Sequence, residues 1–408
     1  MGHIGFAEAL KRALEGVPAP RTTRWVSLER ALGQICAGAV TARRALPPFD
    51  NAAMDGYALR HEEGGKELKV ASTILAGAPL PEGPLKAGNC YRIMTGARVP
   101  EDVDAVVPLE RCEAEGDRVR IPGGIRPESN LRRRGEEVAP GSVLIPEGTM
   151  LEASHIALLS AQGITEIEVY VPLRIALFST GDEVKEPWEE APEHAVYNAN
   201  AFGLSALLEQ YGFLAHYVGR LPDDPERIRA RLEGVEGYDL IITSGGISGG
   251  DADYLYEIFL ERGLEPLFHG VNLKPGRPTM MGRMGRSFVM ALPGNPLAAL
   301  LNLWALGLPV LYRMQGARRV HHRRMLLPLG EELRLRGGRT ELVLGELRAG
   351  RFYPTMGHRY GSGMLIPLAA SDALVVVGES VEHLPVGSLV EAVLFGDRGR
   401  DRDPEVVQ

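Results

Sequence analysis

An alternation of strands and helices from Leu173 onward predicts a doubly wound, mostly parallel sheet at the centre of a multidomain α/β plus β protein. Two further observations complete the prediction. Helical spacing near the N-terminus returns around residue 152 after a stretch of different texture, which reads as one helical domain interrupted by an inserted β-domain. Beyond Arg324 apolar runs recur between Gly-rich turns, which fits a small C-terminal β-barrel. At 408 residues the chain is too long for a single core. The expected boundaries are 1–46 with 147–171 for the helical domain, 47–146 for the insertion, 172–322 for the α/β domain and 323–408 for the barrel.

Phe6, Leu10 and Leu14 recur at helical spacing, and Gly16 stands at a stop position. Ser27 is placed to cap a short second helix through Leu32, ended by Gly33. Short extended runs follow at 68–74, 90–94, 105–107 and 118–121, punctuated by Gly and Pro. A helix is expected over 152–161, ended by Gly163. In the α/β part the expected strands are 174–178, 213–218, 238–243 and 288–292, with an apolar run at 264–268. Helices are expected from Asn200 to Tyr211, from Pro225, over 253–262 and over 296–311. Later strands are read at 342–344, 374–377 and 389–393, and the residues from Arg398 as a frayed charged tail.

Net charge is −8, from 45 basic and 53 acidic residues, so there is no basic field for nucleic acid. Cys36, Cys90 and Cys112 have no metal-ligand spacing and read as small buried hydrophobes of a reducing compartment. The N-terminus has no signal-peptide core, and no apolar run approaches a membrane span. The expectation is a cytoplasmic protein without a membrane partner.

Three loops end strands of the α/β part. They are Ser179-Thr-Gly-Asp-Glu183, Thr243-Ser-Gly-Gly-Ile-Ser248 with Asp251 and Asp253 behind it, and Leu292-Pro-Gly-Asn-Pro296. Each offers backbone N–H groups where open α/β sheets bind ligands, and Asn295 is placed to cap the helix begun by Pro296. Taken singly, each is an ordinary cap or turn. Together, with carboxylates on two of them, they suit a phosphate bridged to the protein through Mg²⁺. Lys274 and Arg277 lie in a further turn suited to an oxyanion.

The ordered motifs PPFDNAAMDGYA from Pro47, MTGARVPEDVDAVV from Met94, NLRRRGEEV from Asn130, STGDEV from Ser179, TSGGIS from Thr243, LKPGRP from Leu273 and LPGNPLAAL from Leu292 span nearly the whole chain. With them the chain resembles the molybdopterin molybdenumtransferase family, called MoeA in bacteria and present as one domain of gephyrin in animals. The resemblance implies an elongated helical domain, an inserted β-domain, a molybdopterin-binding α/β domain and a C-terminal barrel. It implies a homodimer with its active site shared between subunits. The implied substrates are adenylyl-molybdopterin and molybdate, with Mg²⁺, giving molybdenum cofactor and AMP. The adenylyltransferase that makes the substrate and downstream molybdoenzyme assembly proteins are the other expected partners.

Residue by residue, the resemblance points to Asp55, Thr95, Arg132, Glu183, Asp223, Asp253, Lys274, Pro293, Pro296 and Ser362. Asp55, Thr95 and Arg132 would face the α/β cleft of the other subunit. Glu183 and Asp253 would contact metal or pterin, and Lys274 the oxyanion. Asp55, Glu183, Asp253 and Lys274 are the expected catalytic set. Ser244, Gly245, Gly246 and Ser248, with Gly294 and Asn295, would line the substrate, and Ser362 would bring the barrel to the cleft. The chain departs from common family patterns at Ala52, where many members have Ser, at Gly270, where some have Lys, and at Glu137, where some have Asp. If molybdate needs two lysines, its site here must recruit another cation in place of the second, such as Arg277 or Arg132. Tungstate matches molybdate in size and charge and is the natural competitor. Other readings are adenylyl transfer onto molybdopterin, a gephyrin-like scaffold, and a nicotinamide-nucleotide amidase with a related α/β domain.

Overall fold

Alternate residues of three central strands feed two separate cores, and this is what builds the α/β sheet. The computed structural model describes residues 3–20, 22–247 and 254–396. Its central strands are β1 (Ile175–Thr180), β2 (Ala215–Leu221), β3 (Leu240–Ser244), β4 (Leu264–His269), β5 (Met280–Met284) and β6 (Ser287–Leu292). Ile175, Leu177, Leu240, Ile242, Phe288, Met290 and Leu292 point into one core. Ala176, Phe178, Ile241, Val289 and Ala291 point into the other. Such strands read as continuous apolar runs because both faces are covered.

The sheet order is β2-β1-β3-β6-β5-β4. β1 pairs parallel with β2 and β3, and β3 with β6. β5 and β4 add an antiparallel edge that the sequence did not announce. Residues 280–284 have no polar alternation, because four of the five are buried. The helices Ala199–Gln210 and Pro296–Asn302 cover one face, and Pro225–Arg231 with Leu255–Glu261 cover the other.

Two helix starts differ from expectation. Asn198, not Asn200, caps the helix after β1, accepting the Ala201 N–H at 3.0 Å. Asn295 occupies the cap position before Pro296, but its side chain makes no capping bond. The helix from Pro296 continues through a π turn, Leu303–Gly307, into Leu308–Met314. Pro309 lacks the N–H that an α turn requires there. The run Pro296–Met314 is long and apolar enough, on length and composition, to cross a bilayer, contrary to the sequence reading. Its apolar window is 89% buried inside the fold, as in a core helix.

The remaining chain forms three further assemblies. Thr23–Ser27 pairs with Glu166–Tyr170, so the two halves of the interrupted segment meet as strands as well as helix. The expected helix after Ser27 is only the 3₁₀ turn Leu28–Arg30, without a side-chain cap. Ala31, Cys36, Leu151 and Leu159 share the core beneath these strands. The first helix, Phe6–Gly16, packs instead on the central sheet, with Ala9 and Ala13 fully buried in its core. Between the halves lies a six-stranded sheet over 56–120. At the C-terminal side, Thr340–Arg348, Ala373–Val377, Leu389–Leu394 and Arg324–Pro328 pair in that order. Arg351–Pro354 pairs with the first of them, and a bridge between Leu329 and Phe352 closes the ring.

Candidate active site

The carboxyl ends of β1, β3 and β6 open into a cavity of about 980 Å³. Strand order reverses between β1 and β3, and such switch points are where open α/β sheets bind ligands. Of the expected residues, Glu183, Asp223, Ser244, Gly245, Gly246, Lys274, Pro293, Gly294, Asn295, Pro296 and Ser362 all line it. Ser248 and Asp253 lie outside the described residues.

The loops are locked to one another. Gly245 has φ 95°, and a Cβ there would collide with the Thr180 hydroxyl, so only glycine fits. Thr180 Oγ1 donates to the Ser244 carbonyl at 3.1 Å. The Gly245 amide donates to the Leu292 carbonyl at 2.9 Å. That amide is therefore not a phosphate donor, contrary to the simplest reading of the Gly-rich loop. Asn200, read from the sequence as a cap, instead bridges two loops. Its Nδ2 donates to Ser244 Oγ at 2.5 Å and to the Gly294 carbonyl at 2.7 Å. Beneath it, Tyr217 donates to Glu186, and Asn198 donates to Ser179 Oγ at 2.9 Å. Burial first, and the Glu186 bond second, push the Tyr217 hydroxyl up to about 12.

The barrel supplies the opposite wall. Asn295 Nδ2 donates to Ser362 Oγ at 2.9 Å, and the Ser362 carbonyl accepts the Ala298 amide at 3.2 Å. Ser362 thus sits at the helix N-terminus, where anions are otherwise favoured. Leu273–Lys274 pairs parallel with Thr340–Glu341, so Lys274 is carried to the barrel edge. Its ammonium donates to Glu341 at 2.8 Å, and His358 lies 2.7 Å from the same carboxylate oxygen. Lys274 is therefore ion-paired rather than a free cation. Arg277, Arg339 and His358 also line the cavity. Arg339, Glu341 and His358 escaped the sequence reading. A polar residue beginning a barrel strand gives no local signal of a distant partner.

Burial pushes the Glu341 carboxyl up, but the bonds from His358 and Lys274 outweigh it and hold it below its ordinary value of 4.5. A group depressed in this way adds stability above that value and loses it as pH falls below it. Thermal midpoints should therefore fall more steeply below pH 4.5 in the wild type than in Glu341→Gln. Equal slopes in melts across that range would show that the pair adds no native stability.

Asp55, Thr95 and Arg132 are exposed and do not line this cavity. They belong to three motifs that knit together elsewhere. Ala53 donates to the Asn130 carbonyl, Gly96 donates to the Ala52 carbonyl, and Arg132 pairs with Asn51. Asp55 accepts both the amide and the hydroxyl of Thr95 at 2.7 Å, which hold its carboxyl below the usual range. Ala52 is fully buried, so the departure from Ser lies off the exposed knuckle. Gly270 has φ 90°, and a Cβ there would meet the His3 ring at 2.7 Å. A lysine there would be strained and would have to displace the His3 ring, which lies beside Arg277 of the cavity wall.

The chain matches three family models: the MoeA N-terminal region (domain I and II) over 4–163, the probable molybdopterin binding domain over 176–313, and the MoeA C-terminal region (domain IV) over 327–395. A molybdopterin molybdenumtransferase of Haemophilus influenzae is 35% identical, over 76% of this chain and 77% of its own length. One from a Nostoc species is 31% identical, over 87% and 85%. The crystal structure of a molybdopterin biosynthesis moeA protein from Pyrococcus horikoshii OT3 superposes with a TM-score of 0.85 at 28% identity, covering 96% of this chain and all of that one. With matching models from end to end and this identity over most of its length, the chain belongs to the molybdopterin molybdenumtransferase family.

Proposed function

We propose that the protein is a transferase of molybdenum cofactor biosynthesis that inserts molybdenum from molybdate into adenylyl-molybdopterin and releases AMP. The observation that carries this reading is the cavity. Strand-end loops, a helix N-terminus, two carboxylates and the cations Lys274, Arg277 and Arg339 share its wall, so it has groups for a phosphorylated pterin and for an oxyanion.

The roles follow from placement. The Thr180, Ser244 and Pro293–Pro296 loops hold the pterin and its phosphates against the strand ends. Lys274, with Arg277 and Arg339, holds molybdate beside the dithiolene. The dithiolene sulfurs bind the metal in place of an oxo ligand, which takes up their two protons and leaves as water, and a second water cleaves the phosphoanhydride to release AMP. The protein's part is positioning and charge neutralisation, with no nucleophile of its own. Mg²⁺ binds through one or two carboxylates plus substrate phosphates and waters. Glu183 and Asp223 supply that number, and no group of three or more His, Cys, Asp or Glu side chains able to hold a metal occurs among the described residues. When bound there, Mg²⁺ would neutralise charge on the phosphoanhydride.

The site is shared between two copies. What supports this is that Asp55, Thr95 and Arg132 form an exposed polar knuckle away from their own chain's cavity. The test is to supply adenylyl-molybdopterin, molybdate and Mg²⁺ and to follow AMP release and metal insertion. Chelation of Mg²⁺ should stop both. Asp55→Asn and Lys274→Ala should each lose most of their activity, and refolded mixtures should regain it, since a mixed dimer keeps one intact site. Release of pyrophosphate from ATP and free molybdopterin, without AMP release from the adenylylated pterin, would overturn the assignment in favour of adenylyl transfer.

A further inference from the structure

Glu341 presents a contradiction that a function can resolve. Its side chain is only 3% exposed, yet both of its side-chain partners, Lys274 and His358, line the ligand cavity. A buried carboxylate needs strong partners, and apolar contacts would join barrel and sheet with less desolvation. Its side-chain partners are Lys274 Nζ at 2.8 Å and His358 Nε2 at 2.7 Å, both on Oε2, while Oε1 accepts the Arg336 amide at 3.5 Å. Lys274 itself is 42% exposed and faces the cavity.

The arrangement is held from both sides. Parallel pairing sets Lys274 opposite Glu341 in register. Met356, Gly357 and His358 follow one another in the left-handed region, at φ 51°, 59° and 59°. Such backbone is unfavourable for side chains other than glycine and persists where surroundings impose it. Here it aims His358 at Glu341, while His358 Nδ1 lies 3.1 Å from the Tyr360 hydroxyl. That hydroxyl in turn accepts the Leu344 amide at 2.8 Å.

We propose that Glu341 is a positioning residue that fixes the Lys274 ammonium and tempers its charge. His358 is its second anchor, so the cavity holds a tetrahedral oxyanion loosely enough to pass it on. This rests on the reading of the cavity as an oxyanion-transfer site. An ammonium has three donors, and one is taken by Glu341, leaving two for an anion. An unpaired lysine would hold the anion more tightly and resist its transfer, which is uniform binding without a gain in rate.

The two supports of this pair predict shifts of opposite sign. Glu341→Gln keeps the shape and an acceptor but removes the charge. Molybdate and tungstate should bind it about fivefold more tightly in calorimetry without pterin, as expected for deleting one opposing charge at a half-exposed site. Both KM for molybdate and kcat should fall. His358→Asn suits the left-handed backbone but stops short of Glu341. Lys274 is then the carboxylate's only side-chain partner among the described residues, and oxyanion affinity should fall. Adding Lys274→Ala to Glu341→Gln should erase the gain. A merely structural role would move both single variants the same way, and that result, no shift, or no oxyanion binding by wild type would overturn the proposal. Absence of AMP release by wild type would sink the assigned reaction while leaving the opposite affinity shifts readable.

Discussion

Replacing Gly276 with alanine is expected to destabilise the protein by about 3 kcal/mol or more and to abolish turnover with it. Gly276 has φ 110°, which L-residues rarely adopt, and a Cβ there would overlap Asn302. Asn302 is fully buried in the helix from Pro296 and cannot swing to solvent. Its Nδ2 donates to the Gly276 carbonyl at 3.1 Å and to Thr279 Oγ1 at 2.8 Å. Its Oδ1 is buried with no hydrogen-bond partner among the described residues. Pushing the amide aside would strand further polar atoms in the core, the costly kind of loss. The same turn carries Lys274 and Arg277 to the cavity, so relaxing it moves both cations as well. Urea unfolding should show a lower midpoint at unchanged slope. A loss below about 1 kcal/mol with normal AMP release would mean that the turn yields cheaply.

What could be read from the sequence divides along physical lines. β1, β3 and β6 were legible because burial on two faces leaves unbroken apolar runs ending in Gly or Pro. Helices beginning at Pro225 and Pro296 were legible because proline favours the first turn. The choice between Asn198 and Asn200 was not, since either can cap locally. The contacts of Asn200 with Ser244 and Gly294 are tertiary and leave no local trace. The loops of the cavity declared themselves as caps and turns at strand ends, but their convergence with the barrel did not. Glu341 lies 67 residues from Lys274 in the chain, and a Glu in a strand reads as solvated until its partner is known.

Truncating Lys274 to alanine should lower turnover by about two to three orders of magnitude, the size found when a donor aimed at developing charge is removed. Arg277 and Arg339 remain in the cavity wall, so oxyanion affinity should fall less than turnover does. Arginine should not replace the lysine. Its wider planar fork would compete with His358 at Oε2 and with the Arg336 amide at Oε1 of Glu341. The variant should also melt at a lower temperature, because His358 is left as the main partner of a buried carboxylate. That loss can be separated from the catalytic one. Adding Glu341→Gln removes the stranded charge and should recover most of the melting temperature. It should not recover AMP release, since the ammonium is still missing. If the double variant regained activity along with stability, Lys274 would be a structural partner of Glu341, and the oxyanion would have to be held by the arginines.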